Sequence, residues 1–356
     1  QKSSIDEGCI TFPCKSDEDL FLLCYRAQSA GKVGFLALDF PYSDLISDFK
    51  QAVGSVPWQA FFRENETIRV RCKIVAQKDL PSPEYEQQLS AVLIEHIEKT
   101  NKNKQLVDLK NPHVPLIFYV TPTFCYVFID YAGFDLSKRS HHIFSHAADI
   151  KGTLGFGLAM LCDLKEKDVF MDCFAGSGTI PIEAAIYSTH FPLNFFNREK
   201  FAFLKFAKYK DHDFNTFFEK ENKKFKDSKN EIYCADSAMK HIAFAKKNAQ
   251  IAGIMKSIDF RRMDLDWLDT KFDKETIDKM ASKLPLGKEG YEKHYKQLFY
   301  QAEFVLKKNG LLVLIGLKDL IEKYANEFKL EIREHRNIYS GQEKYDVFVI
   351  EKVHAY

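Results

Sequence analysis

"VFMDCFAGSGTIPIEAA", residues 169–185, decides how the rest of this sequence is read. An apolar run ends in an acid (Asp172). A turn of small residues follows (Cys173, Ala175, Gly176, Ser177, Gly178, Thr179), and then an apolar stretch with helical spacing. A strand, a turn and a helix in that order put free backbone N–H groups beside the carboxyl edge of a parallel sheet, where open α/β folds bind ligands. Gly176 and Gly178 let the backbone approach a bound group closely, while Ser177 and Thr179 offer N-cap chemistry to the helix. A tight strand-to-helix turn with no ligand is the plainer alternative.

Spacing separates the ligand classes. A dinucleotide fingerprint needs a third glycine at position 181, where Pro181 stands, and a phosphate loop needs Gly-Lys-Ser/Thr, which does not follow. The first fact counts against a nicotinamide oxidoreductase and the second against a P-loop protein. A carboxylate just before the turn suits a cation better than a pyrophosphate, and S-adenosylmethionine (SAM), with its ammonium and sulfonium groups, is such a ligand. "EIYCAD" (231–236) reads as a second strand ending in Asp236, followed by Ser237, and "IDFRRMD" (258–264) as a third ending in Asp264, followed by Leu265. Asp236 is placed to accept hydrogen bonds from ribose hydroxyls, and Asp264 from an adenine amino group. Each acid alone also reads as a cap or turn residue; three at successive strand ends make a pattern.

From about residue 150 the chain alternates short apolar strands with helical stretches, the rhythm of parallel βαβ units. "SAMKHIAFAKKNAQIAG" puts Ile242, Ala245, Ala249 and Ala252 on one helical face, and Gly253 stops it. "LFYQAEFVLKKNG" is expected as a helix closed by Gly310, "LLVLIGL" as the fourth strand, and "LEIREHRNIYSGQEKYDVFVIEKV" as a terminal antiparallel hairpin. The first 135 residues read differently. Strand candidates "KVGFLALDF", "ETIRVRCKIVAQ" and "VPLIFYVTPTFCYVFIDYAG" surround the helix "PEYEQQLSAVLIEHIEKT", an α+β pattern expected to have adjacent rather than crossed-over strands. The polar, basic stretch "LSKRSHHIFSHAADIKG" (136–152) is the expected junction, giving domains 1–140 and 141–356.

Composition sets outer bounds. The 356 residues are 46% hydrophobic and 28% charged, without an apolar run long enough for a membrane span or a signal peptide at the start. Eight cysteines at irregular spacings, with no Cys-x-x-Cys pair, read as reduced thiols of a cytoplasmic protein, with no metal site expected. The net charge of +1 hides an uneven distribution. Residues 1–150 carry 16 basic and 19 acidic side chains, whereas residues 198–262 carry 16 and 9. That local excess suits phosphates, or is simply a solvated lysine-rich surface.

"DCFAGSGTIPIEAA", "EIYCADSAMKHIAFAKKNAQIAG" and "IDFRRMDLDWL" together resemble the class I methyltransferases, and within them the THUMP-domain guanosine-N2 RNA methyltransferases. "AVGSVPWQAFFRENETIRVRCKIVA", "YVFIDYAGFDLSKRS" and "HAADIKGTLGFGLAML" extend the resemblance to the amino-terminal extension, THUMP module and linking helix, over roughly residues 10–350. It implies an α/β, Rossmann-like class I methyltransferase domain with a C-terminal antiparallel hairpin, preceded by an α+β, ferredoxin-like THUMP-type domain that grips structured RNA. It further implies that SAM is held by Asp172, Cys173, Ala175, Gly176, Ser177, Gly178 and Thr179 at its methionine end, Asp236 and Ser237 at the ribose, and Asp264 and Leu265 at the adenine. Because the THUMP half is acidic, RNA contacts are expected from residues 198–262 and from Lys138, Arg139, His141 and His142, with ribosomal or transfer RNA as the partner.

One motif departs from the family. Where it carries Asn-Pro-Pro-Tyr or -Phe to accept the target amine and stack the flipped base, this sequence has Lys283, Leu284, Pro285 and Leu286, followed by Gly287 and Lys288. An ammonium donates hydrogen bonds and accepts none, so Lys283 cannot orient an amine as asparagine does. Three readings stay open: N2 methylation using the Leu284 carbonyl or another acceptor; methylation of a different guanine atom such as N7, with Lys283 on O6; or a cofactor- and RNA-binding protein with little catalysis. The absent motif argues against an adenine-N6 DNA methyltransferase. No cysteine lies in a recognisable nucleophile motif.

Overall fold

Residues 3–354 are described by a computed structural model, except 7, 62, 64, 65, 76–81, 102, 103, 147, 288, 289 and 342. Their contacts divide into two units, neither contiguous in sequence. The first comprises Gln1–Ala27, Lys32–Leu136 and Asn194–Phe218, and the second Gln28–Gly31, Ser137–Leu193 and Glu219–Tyr356.

In the first unit the elements run β1 (Ser4–Asp6), β2 (Cys9–Thr11), α1 (Asp17–Arg26), β3 (Gly34–Pro41), α2 (Leu45–Ala52), β4 (Thr67–Ile74), α3 (Ser82–Asn101), β5 (Leu106–Val107), β6 (Val114–Val120) and β7 (Phe124–Asp130). The strand β4, "TIRVRCKI", alternates: Ile68, Val70 and Cys72 are buried, while Arg71 and Lys73 face solvent. Every residue of β6, "VPLIFYV", is buried, as a strand covered on both faces requires. The five-stranded sheet has the order β3-β7-β6-β4-β5. The pairs β3/β7 and β6/β7 are antiparallel, but β4 is parallel to both β5 and β6. This corrects the expectation of adjacent strands. The twenty-residue helix α3 carries the chain back between β4 and β6, making a crossover that a hairpin-length connection could not. Residues 194–218 complete the unit's aromatic core: Phe203 lies 4.6 Å from Phe21, and its N–H donates to the Tyr131 carbonyl.

The second unit contains α4 (Gly152–Leu161), β8 (Val169–Asp172), α5 (Thr179–Thr189), α6 (Phe214–Asn222, from Glu219 on), β9 (Glu231–Asp236), α7 (Met239–Ala252), β10 (Asp259–Arg262), α8 (Leu268–Lys271), β11 (Ile277–Lys283), α9 (Glu292–Val305), β12 (Leu306–Ile315), α10 (Lys318–Glu327), β13 (Glu331–Ser340) and β14 (Glu343–Glu351). Its seven strands lie in the order β10-β9-β8-β11-β12-β14-β13, with β14 antiparallel to both of its neighbours and all other pairs parallel. The Rossmann-like sheet and its C-terminal antiparallel hairpin are as expected. Successive strand residues serve different apolar clusters. Phe170, Ala281 and Val313 pack with Leu154, Ile182 and Ala245, whereas Met171, Met280 and Leu312 pack with Leu298, Phe299 and Ile321.

The stretch expected as the fourth strand, "LLVLIGL", belongs to the fifth, β12, which begins at Leu306 within the residues assigned to the preceding helix. The fourth is β11, "IDKMASK". Its Asp278 accepts from the Val169 N–H and from Lys307 Nζ, so a polar residue there serves neighbouring strands rather than marking a loop. All eight cysteines are free thiols; six are buried, Cys9 is partly buried and Cys14 is exposed. Among the described residues no helix is long and apolar enough to cross a membrane.

Candidate functional site at the tips of the parallel strands

The turn between β8 and α5 is shaped by two left-handed glycines. Gly176 has φ +53° and Gly178, the N-cap of α5, has φ +87°. At Gly178 a Cβ atom would lie 2.8 Å from the Ala245 Cβ on α7, so conformation and space both require glycine. Gly178→Ala is expected to destabilise the protein by about 2 kcal/mol, from left-handed strain and overpacking together. A denaturant midpoint equal to the parent's would contradict this geometry. The expected side-chain capping does not occur. Ser177 is fully buried and its Oγ donates to Asp149, while the buried Thr179 Oγ1 has no partner among the described residues.

Around this turn the protein gathers carboxylates. The N–H of Gly176 donates to Asp236 Oδ2 (3.0 Å), and that of Ser177 points at Asp149 Oδ1 (3.4 Å). Asp236 Oδ1 also accepts from the Ala238 N–H and pairs with His241 Nδ1, both at 2.9 Å. Asp172 is buried; its Oδ1 accepts from Ser282 Oγ (2.7 Å) and the Phe174 N–H, while its Oδ2 is buried without a partner among the described residues. Burial, aided by Asp236 and opposed by those hydrogen bonds, pushes the Asp172 carboxyl up to about 7. At Asp149 burial also acts upward, yet hydrogen bonds from His142, the His146 N–H and Ser177 outweigh it and hold the carboxyl below its usual value. Asp264 is different: two residues beyond β10, it is about half exposed and 4.0 Å from Arg262. Cys173 and Ala175 are buried in the turn, Ser237 is exposed, and Leu265 packs at the rim of the apolar cluster around Phe299.

The residues expected to touch RNA divide three ways. Lys138 is exposed. Arg139 is not a surface contact: its guanidinium grips Glu183 through Nε (2.6 Å) and Nη2 (3.1 Å), with both side chains almost fully buried, and Nη2 also donates to the Gln28 carbonyl. His141 is buried as well, and burial, with Arg139 nearby, holds its imidazole down at about 3, so it is neutral. His142 turns inward to Asp149 and Ser177 Oγ. These corrections share one cause. A basic residue beside a junction reads as solvent-facing until its acidic partner is known, and Glu183 lies 44 residues away.

At the end of β11, Lys283 Nζ donates to the Ala148 carbonyl (2.8 Å) and sits 5.3 Å from the centre of the Tyr345 ring. Leu284 is a core residue whose N–H donates to the Ile315 carbonyl; the Pro285 carbonyl accepts from Tyr295 Oη; Leu286 is exposed. Lys288 lies outside the described residues.

Sequence reasoning did not single out Asp149, Ser282, His241 or Asn248. The Asn248 amide is buried and fully used: Oδ1 accepts from the Ile143 and Phe144 N–H groups, and Nδ2 donates to the carbonyls of Phe144 and Ser177. It thereby ties the loop before α4 to the glycine turn. The only signal for Asn248 was a lone polar residue beside the buried Ala245 and Ala249 face of α7.

Residues 139–346 match the family described as "RMKL-like, methyltransferase domain", and residues 45–130 match the THUMP domain. A tRNA (guanine(6)-N2)-methyltransferase of Methanocaldococcus jannaschii is 26% identical over 307 residues, covering 83% of this chain and 78% of that protein. The ribosomal RNA large subunit methyltransferase K/L of Buchnera aphidicola is 26% identical over 320 residues; the match covers 87% of this chain but only 44% of the longer relative. Among solved structures, a possible methylase from Clostridium difficile superposes with a TM-score of 0.79 at 21% identity, covering 94% of this chain and 88% of that one.

Proposed function

The chain belongs to the RMKL-like methyltransferase family, and on that premise we propose that it moves a methyl group from SAM to the exocyclic N2 of a guanosine in transfer RNA. It is a SAM-dependent RNA methyltransferase, with a THUMP domain for the RNA. The single observation that carries the reading is the charge of the turn. Its Gly176 and Ser177 N–H groups face internal carboxylates, and Asp172, just before it, keeps a buried oxygen with no partner among the described residues. A phosphate would meet like charge there, whereas a sulfonium meets opposite charge.

When bound, SAM supplies an electrophilic methyl group. The chain's own residues position and select. Asp236 receives three donors from the protein, and a carboxylate offers about four acceptor sites, so one is left for a ribose hydroxyl. Direct transfer needs only alignment of the reacting atoms, and proximity supplies much of the barrier reduction. Lys283 is held on the Ala148 carbonyl and accepts nothing, so the acceptor for the guanine amine is assigned to the Leu284 carbonyl. Losing the usual asparagine acceptor typically costs about 10²- to 10³-fold in rate, and a slow enzyme is the expected result. Ribosomal RNA is the second substrate reading, on the strength of the Buchnera relative. We propose a cytoplasmic location, which either RNA would fit.

The test is methylation by the purified chain of total transfer RNA and of ribosomal RNA with isotopically labelled SAM, followed by nucleoside mass spectrometry. Labelled N2-methylguanosine in transfer RNA is expected. Labelled 7-methylguanosine would move the reaction to another atom. Tight binding of S-adenosylhomocysteine without incorporation into either RNA would replace the enzyme with a binding protein.

A further inference from the structure

We propose that Asp149 and Lys283 form a charge-matched clamp for the amino-acid end of the cofactor, the carboxylate taking the α-ammonium and the lysine taking the α-carboxylate. The inference rests on SAM being the ligand of this turn.

Asp149 sits over the turn with one oxygen engaged and one nearly free. Its Oδ2 receives the His146 N–H (2.5 Å), Ser177 Oγ (2.7 Å) and His142 Nε2 (3.0 Å). Its Oδ1 has only the long contact to the Ser177 N–H. The saturated oxygen fixes the side chain, and the other presents a negative charge with unused acceptor capacity. Gly176 keeps that oxygen uncovered, because a Cβ there would lie 3.3 Å from Oδ1. The Asp149 side chain is 12% exposed, partly desolvated yet still open to a ligand. Ammonium is the group that such an oxygen attracts.

The complementary charge arrives from another strand. Lys283 ends β11, and its Nζ donates to the carbonyl of Ala148, the residue immediately before Asp149. An ammonium has three donors, and no carboxylate of the described residues lies within 4.0 Å of Nζ as an ion-pair partner. Two N–H bonds are therefore available for a ligand, and Glu343 and then Asp149 are the carboxylates whose charge Lys283 feels. The carboxylate of residue 149 and an ammonium fastened to the carbonyl of residue 148 are complementary to an α-amino acid, whose ammonium and carboxylate are joined through a single carbon. The match also explains why a lysine is tolerated where the resembled family carries asparagine: here the side chain leans toward the loop before α4 and serves the cofactor.

Calorimetric titration of the full chain tests both halves with three ligands. S-adenosylhomocysteine carries both charged groups, decarboxylated SAM keeps the ammonium alone, and 5′-methylthioadenosine has neither. Asp149→Asn is expected to weaken S-adenosylhomocysteine and decarboxylated SAM by about 10- to 100-fold, the worth of one charge-assisted hydrogen bond. Lys283→Met is expected to weaken S-adenosylhomocysteine by a similar factor and leave decarboxylated SAM unchanged. Neither substitution should alter methylthioadenosine binding by more than about 3-fold, which also reports that the variants are folded. If Asp149→Asn weakens all three ligands equally, Asp149 is only a pin for the turn and the clamp is overturned. If Lys283→Met leaves S-adenosylhomocysteine untouched, the lysine half fails. A parent chain that binds none of the adenosyl ligands would instead remove the SAM reading beneath it.

Discussion

Glu183→Ala lowers the stability of the methyltransferase unit by about 3–5 kcal/mol, because it strands a buried guanidinium. Arg139 and Glu183 are 2% and 1% exposed and share two hydrogen bonds, and Gln28 Nε2 donates to both the Glu183 carboxylate (2.7 Å) and its carbonyl (2.9 Å). Removing the acid leaves a positive charge with its desolvation cost and without its compensating partner. Urea denaturation reads the effect as a lower midpoint at unchanged slope. The double replacement Arg139→Met with Glu183→Leu removes both charges at similar volume and is expected to lose less than Glu183→Ala alone, since Gln28 keeps the backbone carbonyl of residue 183. A Glu183→Ala midpoint within error of the parent's would mean that water reaches Arg139 and that the pair is not truly buried. The same experiment separates stability from recognition: Arg139 variants should fail by unfolding, not by a selective loss of RNA affinity.

Asp172→Asn is expected to act in opposite directions on folding and on binding. The Asp172 carboxyl is held at about 7, against an ordinary value of 3.8. Between those two values the folded protein keeps a proton that the unfolded chain has released. Its stability therefore declines as pH rises through this window, and the full cost applies above about 7. Three pKa units correspond to about 4 kcal/mol at most, so a gain of about 2–4 kcal/mol is expected for the ligand-free asparagine variant at pH 8. The amide oxygen of the substituted side chain can still accept from Ser282 and the Phe174 N–H. Cofactor affinity should fall by about tenfold or more, because a cationic ligand loses a charged neighbour. Thermal melts at pH 5 and pH 8, with and without S-adenosylhomocysteine, check both signs. A variant less stable than the parent at pH 8 would refute the account of Asp172 as a strained acid.

The glycine turn was legible because its requirements are local. Two glycines with positive φ and an acid at a strand end lie within seven residues, and no distant partner is needed to interpret them. The position of Asp236 at the end of its strand was legible for the same reason, but not its bond to the Gly176 N–H. What escaped was set by distance. Asp149 reaches Ser177 across 28 residues of chain, and the Arg139 pair depends on a helix still further along. Strand β11 was obscured by Asp278 and Lys283, side chains that look like surface until Val169 and Lys307 are seen to donate to the first and the Ala148 carbonyl to accept from the second. The basic count over 198–262 gave no sign that Phe201, Phe203 and Phe206 in that stretch are buried in the aromatic core of the first unit, with Lys205, Lys208 and Lys210 exposed alongside them.

That last feature bears on how the polypeptide matures during translation. When the first 136 residues have emerged from the ribosome, Phe21, Tyr25 and Tyr131 still lack the rings at 201–217 that will cover them. The nascent amino-terminal half must then wait, with greasy surface open to chaperones and to other nascent chains, until the second half is largely made. A gene fragment cut at the apparent border near residue 140 would make that waiting state permanent, whereas one that also encodes 194–218 would supply the missing cover.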